Sequence, residues 1–367
     1  MKSARIAITL LTACTQMPAH AANLEVKVGE FAAFMREHRR EKKIVSLSYA
    51  VVVDGRIVAA EGLGWQDHDA EEPTTKDTTY LAASITKTFT GATLLGMEAD
   101  GIIDLDDDFT TLSDWRERCE ALRQAGSIFG GGGTVEGVKT PTLDCATRFS
   151  LRQVLQHQAL GAGFMYNPVL YGRLANWVEE RTKRPWIEWV DRYVLDPAGL
   201  ADTAAGWRDE RKAHVIARLA PPFRFTPGDE DGVAPSPLPN PELNASSGII
   251  SSAVDLARYS IALDEGRVLS PGLRELMWAA PHNPDGSTAS YANGWWVQRW
   301  KGHRLVWHGG WWPDAYAGLL LKAPDDRAAL IVLGNTDGLN WPNSLFKAEV
   351  EKSPVAAKFL ELFVASE

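Results

Sequence analysis

Short extended segments sit at both ends of this chain, with mostly helical patterns between them, and that arrangement constrains the fold more than any other feature. Val45 to Val53 and Arg56 to Leu63 are rich in β-branched and apolar residues and flank Asp54-Gly55, a dipeptide suited to the positive φ angles of a two-residue hairpin turn. Near the other end, Trp295 to Trp300, Arg304 to His308, Tyr316 to Leu321 and Ala328 to Leu333 repeat the pattern about Lys301-Gly302 and Pro324-Asp325-Asp326. Strands so far apart in sequence predict one antiparallel sheet built from both chain ends, flanked by helices at about 28–42 and 343–364. From Ser84 to about residue 265 the recognisable segments are helical and joined by Gly- and Pro-rich loops. The expected class is therefore α+β. Residues 22–83 and 266–367 form the sheet subdomain, and 84–265 form an inserted, mainly helical subdomain. Within the latter, residues 109–146 carry Gly130 to Gly133 and read as a surface insertion with little regular structure.

With 367 residues, 45% of them hydrophobic and 23% charged, the chain excludes disorder, collagen and coiled coil. Lys and Arg number 38 against 47 Asp and Glu, and there is no long basic stretch, which argues against nucleic acid as a partner. His38-Arg39-Arg40-Glu41-Lys42-Lys43 reads as a solvated helix face. Lys2 and Arg5, the apolar stretch Ile6 to Ala13 and the small-residue site Ala19-His20-Ala21 read as a secretory leader over residues 1–21, hence a periplasmic or secreted protein. A competing reading takes Leu11-Thr12-Ala13-Cys14 as a lipoprotein box that tethers the protein to a membrane through Cys14. Cys119 and Cys145 then remain, either bridged in an oxidising compartment or as two buried thiols.

Ser84-Ile85-Thr86-Lys87 follows an extended segment and opens a helix running to about Asp100. Ser84, Lys87 and Gly91 share one face of it. A serine hydroxyl is a poor nucleophile until something takes its proton, and a lysine one turn along can do so if burial keeps the amine neutral. The helix N-terminus adds backbone N–H groups for a developing oxyanion. Alone, the pair also fits a capping serine and a surface lysine; a second match, Ser344-Leu345-Phe346-Lys347, lies in the expected terminal helix and reads as structural. Two further sites give Ser84 company. His308-Gly309-Gly310 ends a strand, where glycines let a ligand backbone approach and a cation or donor polarises an acyl group. Phe164-Met165-Tyr166-Asn167-Pro168 supplies a loop tyrosine suited to carrying a proton.

In this order the three sites resemble the serine β-lactamase and penicillin-binding superfamily, closest to class C β-lactamases, DD-peptidases and related esterases. That family carries Ser-x-x-Lys at the start of a buried helix, Tyr-x-Asn in a helical subdomain, and Lys-Thr-Gly or His-x-Gly on a strand. The likeness spans roughly residues 28 to 365. It implies Ser84 as the acylated nucleophile, Lys87 and Tyr166 as its proton network, and an oxyanion hole at the backbone N–H groups of Ser84 and Trp311. His308, Gly310, Trp311 and Asn167 are the implied substrate contacts.

Departures from the family pattern carry information too. Pro168 stands where the motif asparagine belongs, so an amide contact is lost or displaced to Asn167. A literal Tyr291-Ala292-Asn293 exists but falls just before a sheet strand, the wrong place for the motif. Histidine at 308 favours peptidase or esterase relatives, because a lysine's permanent charge anchors a drug carboxylate better. Trp311 or Trp312 is expected to wall the cleft, whereas Trp295, Trp296, Trp300 and Trp307 read as core or sheet packing. Asp104 to Asp108 lacks the glycine and glutamate of a calcium loop, the glycine run lacks the Gly-Lys-Ser/Thr of a phosphate loop, and no cofactor or metal is expected. The resulting expectation is an exported serine hydrolase that acylates Ser84 with an ester or amide, its partner a small molecule or short peptide. The alternatives are a β-lactamase proper and a non-catalytic penicillin- or cell-wall-binding protein.

Overall fold

The computed structural model describes residues 19–67, 72–161, 163–226, 228, 232–239 and 242–364. The leader expected over residues 1–21, with Cys14, lies outside these residues as far as residue 18. Among the described residues no helix is long and apolar enough to cross a membrane.

The strands, in chain order, are β1 Ser46–Val53, β2 Arg56–Gly64, β3 Thr79–Leu81, β4 Gly131–Val135, β5 Val138–Thr142, β6 Thr203–Ala205, β7 Phe223–Phe225, β8 Val233–Pro235, β9 Ile249–Ser252, β10 Trp296–Trp300, β11 His303–Trp312, β12 Tyr316–Ala323 and β13 Ala328–Gly334. Six of them make one sheet in the order β10-β11-β12-β13-β1-β2, with every neighbouring pair antiparallel. The chain ends meet where β1 pairs with β13, from Leu47 opposite Gly334 to Val53 opposite Ala328. The tight turns behave as their residues dictate. Asp54 and Gly55 have φ of 52° and 73°, and Lys301 and Gly302 have 47° and 92°, values that match the right-handed twist of the flanking strands.

Alternation along β1 divides the core in two. Leu47, Tyr49 and Val51 face one layer with Phe31, Met35, Phe359 and Leu360, contributed by the terminal helices Ala19–Glu41 and Pro354–Phe363. Ala50 and Val52 face the other with Phe89, Leu94, Leu256 and Tyr259, from helices Thr86–Ala99 and Ala253–Asp264. Helix Thr86–Ala99 is thus enclosed, with every residue from Thr86 to Met97 buried. A second, small sheet, β3-β9-β6, was not expected, and its β3 leads directly into Ser84.

Two expectations need correction. The terminal helix covers only Pro354–Phe363, begun by the Ser353 cap with Pro354 at its first turn, so Ser344 lies upstream of it in an irregular segment. The insertion 109–146 is ordered rather than irregular. It holds a helix at Trp115–Gln124, the β4–β5 hairpin and a Cys119–Cys145 disulfide. Gly132 and Gly133, with φ of 72° and 132°, bend β4 instead of preventing it. Closing a 26-residue separation stabilises such a segment by about 3 kcal/mol in the chain-entropy picture.

Candidate active site

Ser84 sits at the turn from β3 into the enclosed helix. Ala82 N–H donates to the Ile249 carbonyl at 2.8 Å and Ile85 N–H to the Ala82 carbonyl at 3.1 Å. Between them Ala83 is held at φ 45°, a left-handed conformation that costs an alanine energy and persists only where its surroundings fix it. β11 passes against this turn. A Cβ on Gly310 would stand 2.2 Å from the Ala82 carbonyl oxygen, so only glycine lets the strand reach the serine.

Lys87, one turn along, is fully buried. Its Nζ donates to Ser84 Oγ at 3.0 Å and to the Ser246 carbonyl at 3.1 Å, and it lies 5.0 Å above the Tyr166 ring and 5.4 Å from that of Tyr171. Among the described residues no carboxylate offsets its loss of water, and burial holds its pKa well below the usual lysine value. Burial thus favours the neutral amine, the form that can take a proton from the serine. Tyr166 hydrogen-bonds Ser84 while burial raises its phenol's pKa. Burial thus favours the protonated phenol, which can relay a proton.

At His308 the sequence left open a cation or a neutral group, and burial favours the neutral one. The ring is buried, with Nδ1 2.7 Å from the Gly309 carbonyl and Nε2 3.1 Å from the Tyr291 hydroxyl. Burial foremost, then repulsion from Lys87, pushes its pKa down to about 3. A neutral ring with Nδ1–H donating to Gly309 and Nε2 accepting from Tyr291 fits these contacts. His308 thus brings no positive charge to the cleft. Tyr291, set aside on sequence order, is the residue that holds it.

Asn167 needs a correction. It is buried, its side-chain oxygen accepts from Leu170 N–H to cap helix Pro168–Gly172, and its own N–H donates to His157 Nδ1 at 3.1 Å. It does not line the cleft, whose lining asparagines are instead Asn340 and Asn343. Pro168 itself forms part of the wall.

The cleft is a cavity of about 410 Å³ reached by Ser84, Tyr166, His308 and Gly310. Four tryptophans line it: Trp296, Trp307, Trp311 and Trp341. Trp311 is half exposed at the mouth, whereas Trp312 packs against the core. Trp296 and Trp307, expected only as packing, stack on each other at 5.3 Å and also present surface to the cavity. Among the described residues lining it, none carries a charge once His308 is neutral.

Sequence reading missed the loop before β9. Asn244 Oδ1 accepts from Ser246 N–H, Ser246 Oγ and Ser247 N–H, a turn that aims the Ser246 carbonyl at Lys87. A backbone carbonyl leaves no mark in a sequence; the nearest sign was the Gly248-Ile249-Ile250 run beside it.

Known proteins share this framework. Over 323 residues the chain is 23% identical to protein flp of Staphylococcus aureus strain MRSA252, covering 82% of this chain and 61% of flp; it spans about three fifths of that relative's length. The octameric penicillin-binding protein homologue from Pyrococcus abyssi superposes with a TM-score of 0.67 at 21% identity, over 91% of this chain and 77% of that one. The D-amino acid amidase of Ochrobactrum anthropi SV3 gives 0.63 at 20% identity, over 93% and 97%. The family model described as Beta-lactamase matches residues 31–345, most of the length, and the chain belongs to that family of serine hydrolases.

Proposed function

We propose that the protein is an exported hydrolase that forms an acyl-enzyme on Ser84 from an ester or amide that carries no carboxylate. The observation that carries this reading is the buried, carboxylate-free Lys87 donating to Ser84 Oγ at 3.0 Å. As Ser84 Oγ attacks the carbonyl carbon, its proton passes to Lys87 Nζ. The oxyanion then lies between the backbone N–H groups of Ser84 and Trp311. Pairing with β10 ends at Trp307, which leaves the β11 edge beyond it open toward Ser84 and supports that role. On collapse the C–O or C–N bond breaks, and the leaving group takes the proton from Lys87 through the Tyr166 hydroxyl. A water then attacks the acyl-enzyme, its proton passing to Lys87; as the acyl C–Oγ bond breaks, Lys87 returns that proton to Ser84 Oγ and the free acid departs.

Substrate choice follows from charge. A carboxylate-bearing penicillin or a free peptide C-terminus needs a cation, and the neutral His308 and the tryptophan walls supply none. Uncharged acyl and aryl esters suit an apolar, aromatic cleft. Export is supported by the leader pattern and by the Cys119–Cys145 bridge. A purely binding role has no need for both Lys87 and Tyr166 to bond the serine.

Intact-mass analysis with a p-nitrophenyl ester, a D-Ala-D-Ala peptide and benzylpenicillin tests the assignment. The expected result is ester turnover through a transient Ser84 adduct, abolished in Ser84→Ala, with slower reaction of the two carboxylates. A stable penicillin adduct without ester turnover indicates the receptor instead.

A further inference from the structure

The cleft is roofed from two sides by segments far apart in sequence. Ile128, in the short turn Ser127–Phe129 of the insertion, reaches it from one side, and Leu345, beyond β13, from the other. These two apolar groups are tied together at one point. Glu136, at the tip of the β4–β5 hairpin, accepts from Ser344 Oγ at 2.7 Å through one carboxylate oxygen and from Leu345 N–H at 2.9 Å through the other. Ser344 Oγ in turn accepts from Phe346 and Lys347 N–H groups at 3.1 and 3.2 Å, so the carboxylate closes a tight turn that sets where Leu345 stands.

The hairpin's other end is fixed. Cys119 is buried and bonded to Cys145, and Leu143, in the core, donates its N–H to the Gly130 carbonyl at 2.7 Å. A rigid base and a tip held by two charge-assisted hydrogen bonds make a strut rather than a loose flap. Glu136 touches nothing at the reacting centre; it acts through Leu345.

We propose that Glu136 is a positioning residue that holds the roof over the tryptophan-lined cavity and thereby limits the bulk of the acyl or aryl group admitted beside Ser84. This deepens the ester-hydrolase reading and rests on it. The side chain is exposed, so its removal loosens the roof without reaching the core. Substrates that fit the closed cavity keep their rate, and bulky ones gain.

The test compares wild type, Glu136→Ala and Glu136→Gln in two measurements. In hydrogen exchange, Glu136→Ala should speed exchange of amides 343–347 by about fivefold, reflecting easier local opening. With p-nitrophenyl acetate and p-nitrophenyl pivalate, the pivalate-to-acetate ratio of kcat/KM should rise by about fivefold through KM, while kcat for acetate changes by less than about twofold. Glu136→Gln, which keeps an acceptor, should recover most of both. Unchanged exchange overturns the strut, and faster exchange with an unchanged ratio overturns the size limit. If wild type turns over neither ester, the hydrolase reading and the size limit both fall, and the exchange result still decides whether Glu136 holds the roof.

Discussion

Two lysines of this protein have lost all contact with water, and the contrast between them explains the site. Lys322, near the end of β12, donates to Ser260 Oγ at 2.6 Å and to Asp264 at 2.9 Å. Burial lowers its pKa, but Asp264 pulls it back upward. Lys87 is as deeply buried and has a hydroxyl, a carbonyl and two aromatic faces in place of a carboxylate. Both are desolvated, and only one keeps a counter-charge. The lesson is that burial alone does not make a base; withholding the acid does.

The comparison breaks most visibly at Lys87. Lys87→Met should lower kcat on a p-nitrophenyl ester by about 10² to 10⁴-fold, the range of a general base, while raising the melting temperature near neutral pH. The sign follows from linkage. The folded-state pKa is depressed, so between it and the ordinary lysine value the unfolded chain binds a proton that the folded chain does not. The cost of burying the amine is therefore full below the folded-state pKa, shrinks as pH rises across that window and vanishes above the unfolded value. The methionine's advantage should therefore fade in alkali, as melting curves against pH can show. Activity in wild type should fall only on the acid side, as Lys87 takes up its proton. His308, titrating near pH 3, should add no step above about pH 4.

A subtler change gives Lys87 what Lys322 has. Asn244→Asp keeps the acceptor that organises Ser246 but puts a negative charge two residues from the carbonyl that meets the amine. The acid limb of kcat/KM should move up by about one pH unit, read from a pH–rate profile; a fixed limb argues against Lys87 as the base. The smallest effect is expected at the structural lysine. Asp264→Asn removes its counter-charge, yet that carboxylate is about a third exposed, so solvent screening holds the loss to about 1–2 kcal/mol in denaturant titration, with activity unchanged.

What the sequence disclosed depended on whether a feature is written in side chains. The hairpin at Asp54-Gly55 was legible because strand periodicity and turn chemistry coincide there. Ser84, Lys87 and Tyr166 were legible as a set of spaced motifs, although only burial makes Lys87 neutral. The β4–β5 hairpin was hidden because a run of glycines reads as a breaker, and its pairing depends on partners across the turn. The segment around Ser344 looked helical from its apolar spacing, whereas Glu136, far off in the chain, draws it into a turn. Tyr291 was noticed and dismissed because chain order does not reveal that its hydroxyl ends beside His308. The neutrality of His308 was beyond reach, since it arises from what encloses the ring.

One feature of the sheet reaches beyond the finished molecule. β13 lies between β12 and β1, so Ala328–Gly334 is the keystone that joins the first hairpin to the strands carrying His308 and Gly310. A growing polypeptide cannot set it before Gly334 has been made, and closing so long a loop is slow. Ser84, synthesised well before β13, thus waits for its opposite wall until that strand emerges, and the reactive hydroxyl is kept idle meanwhile.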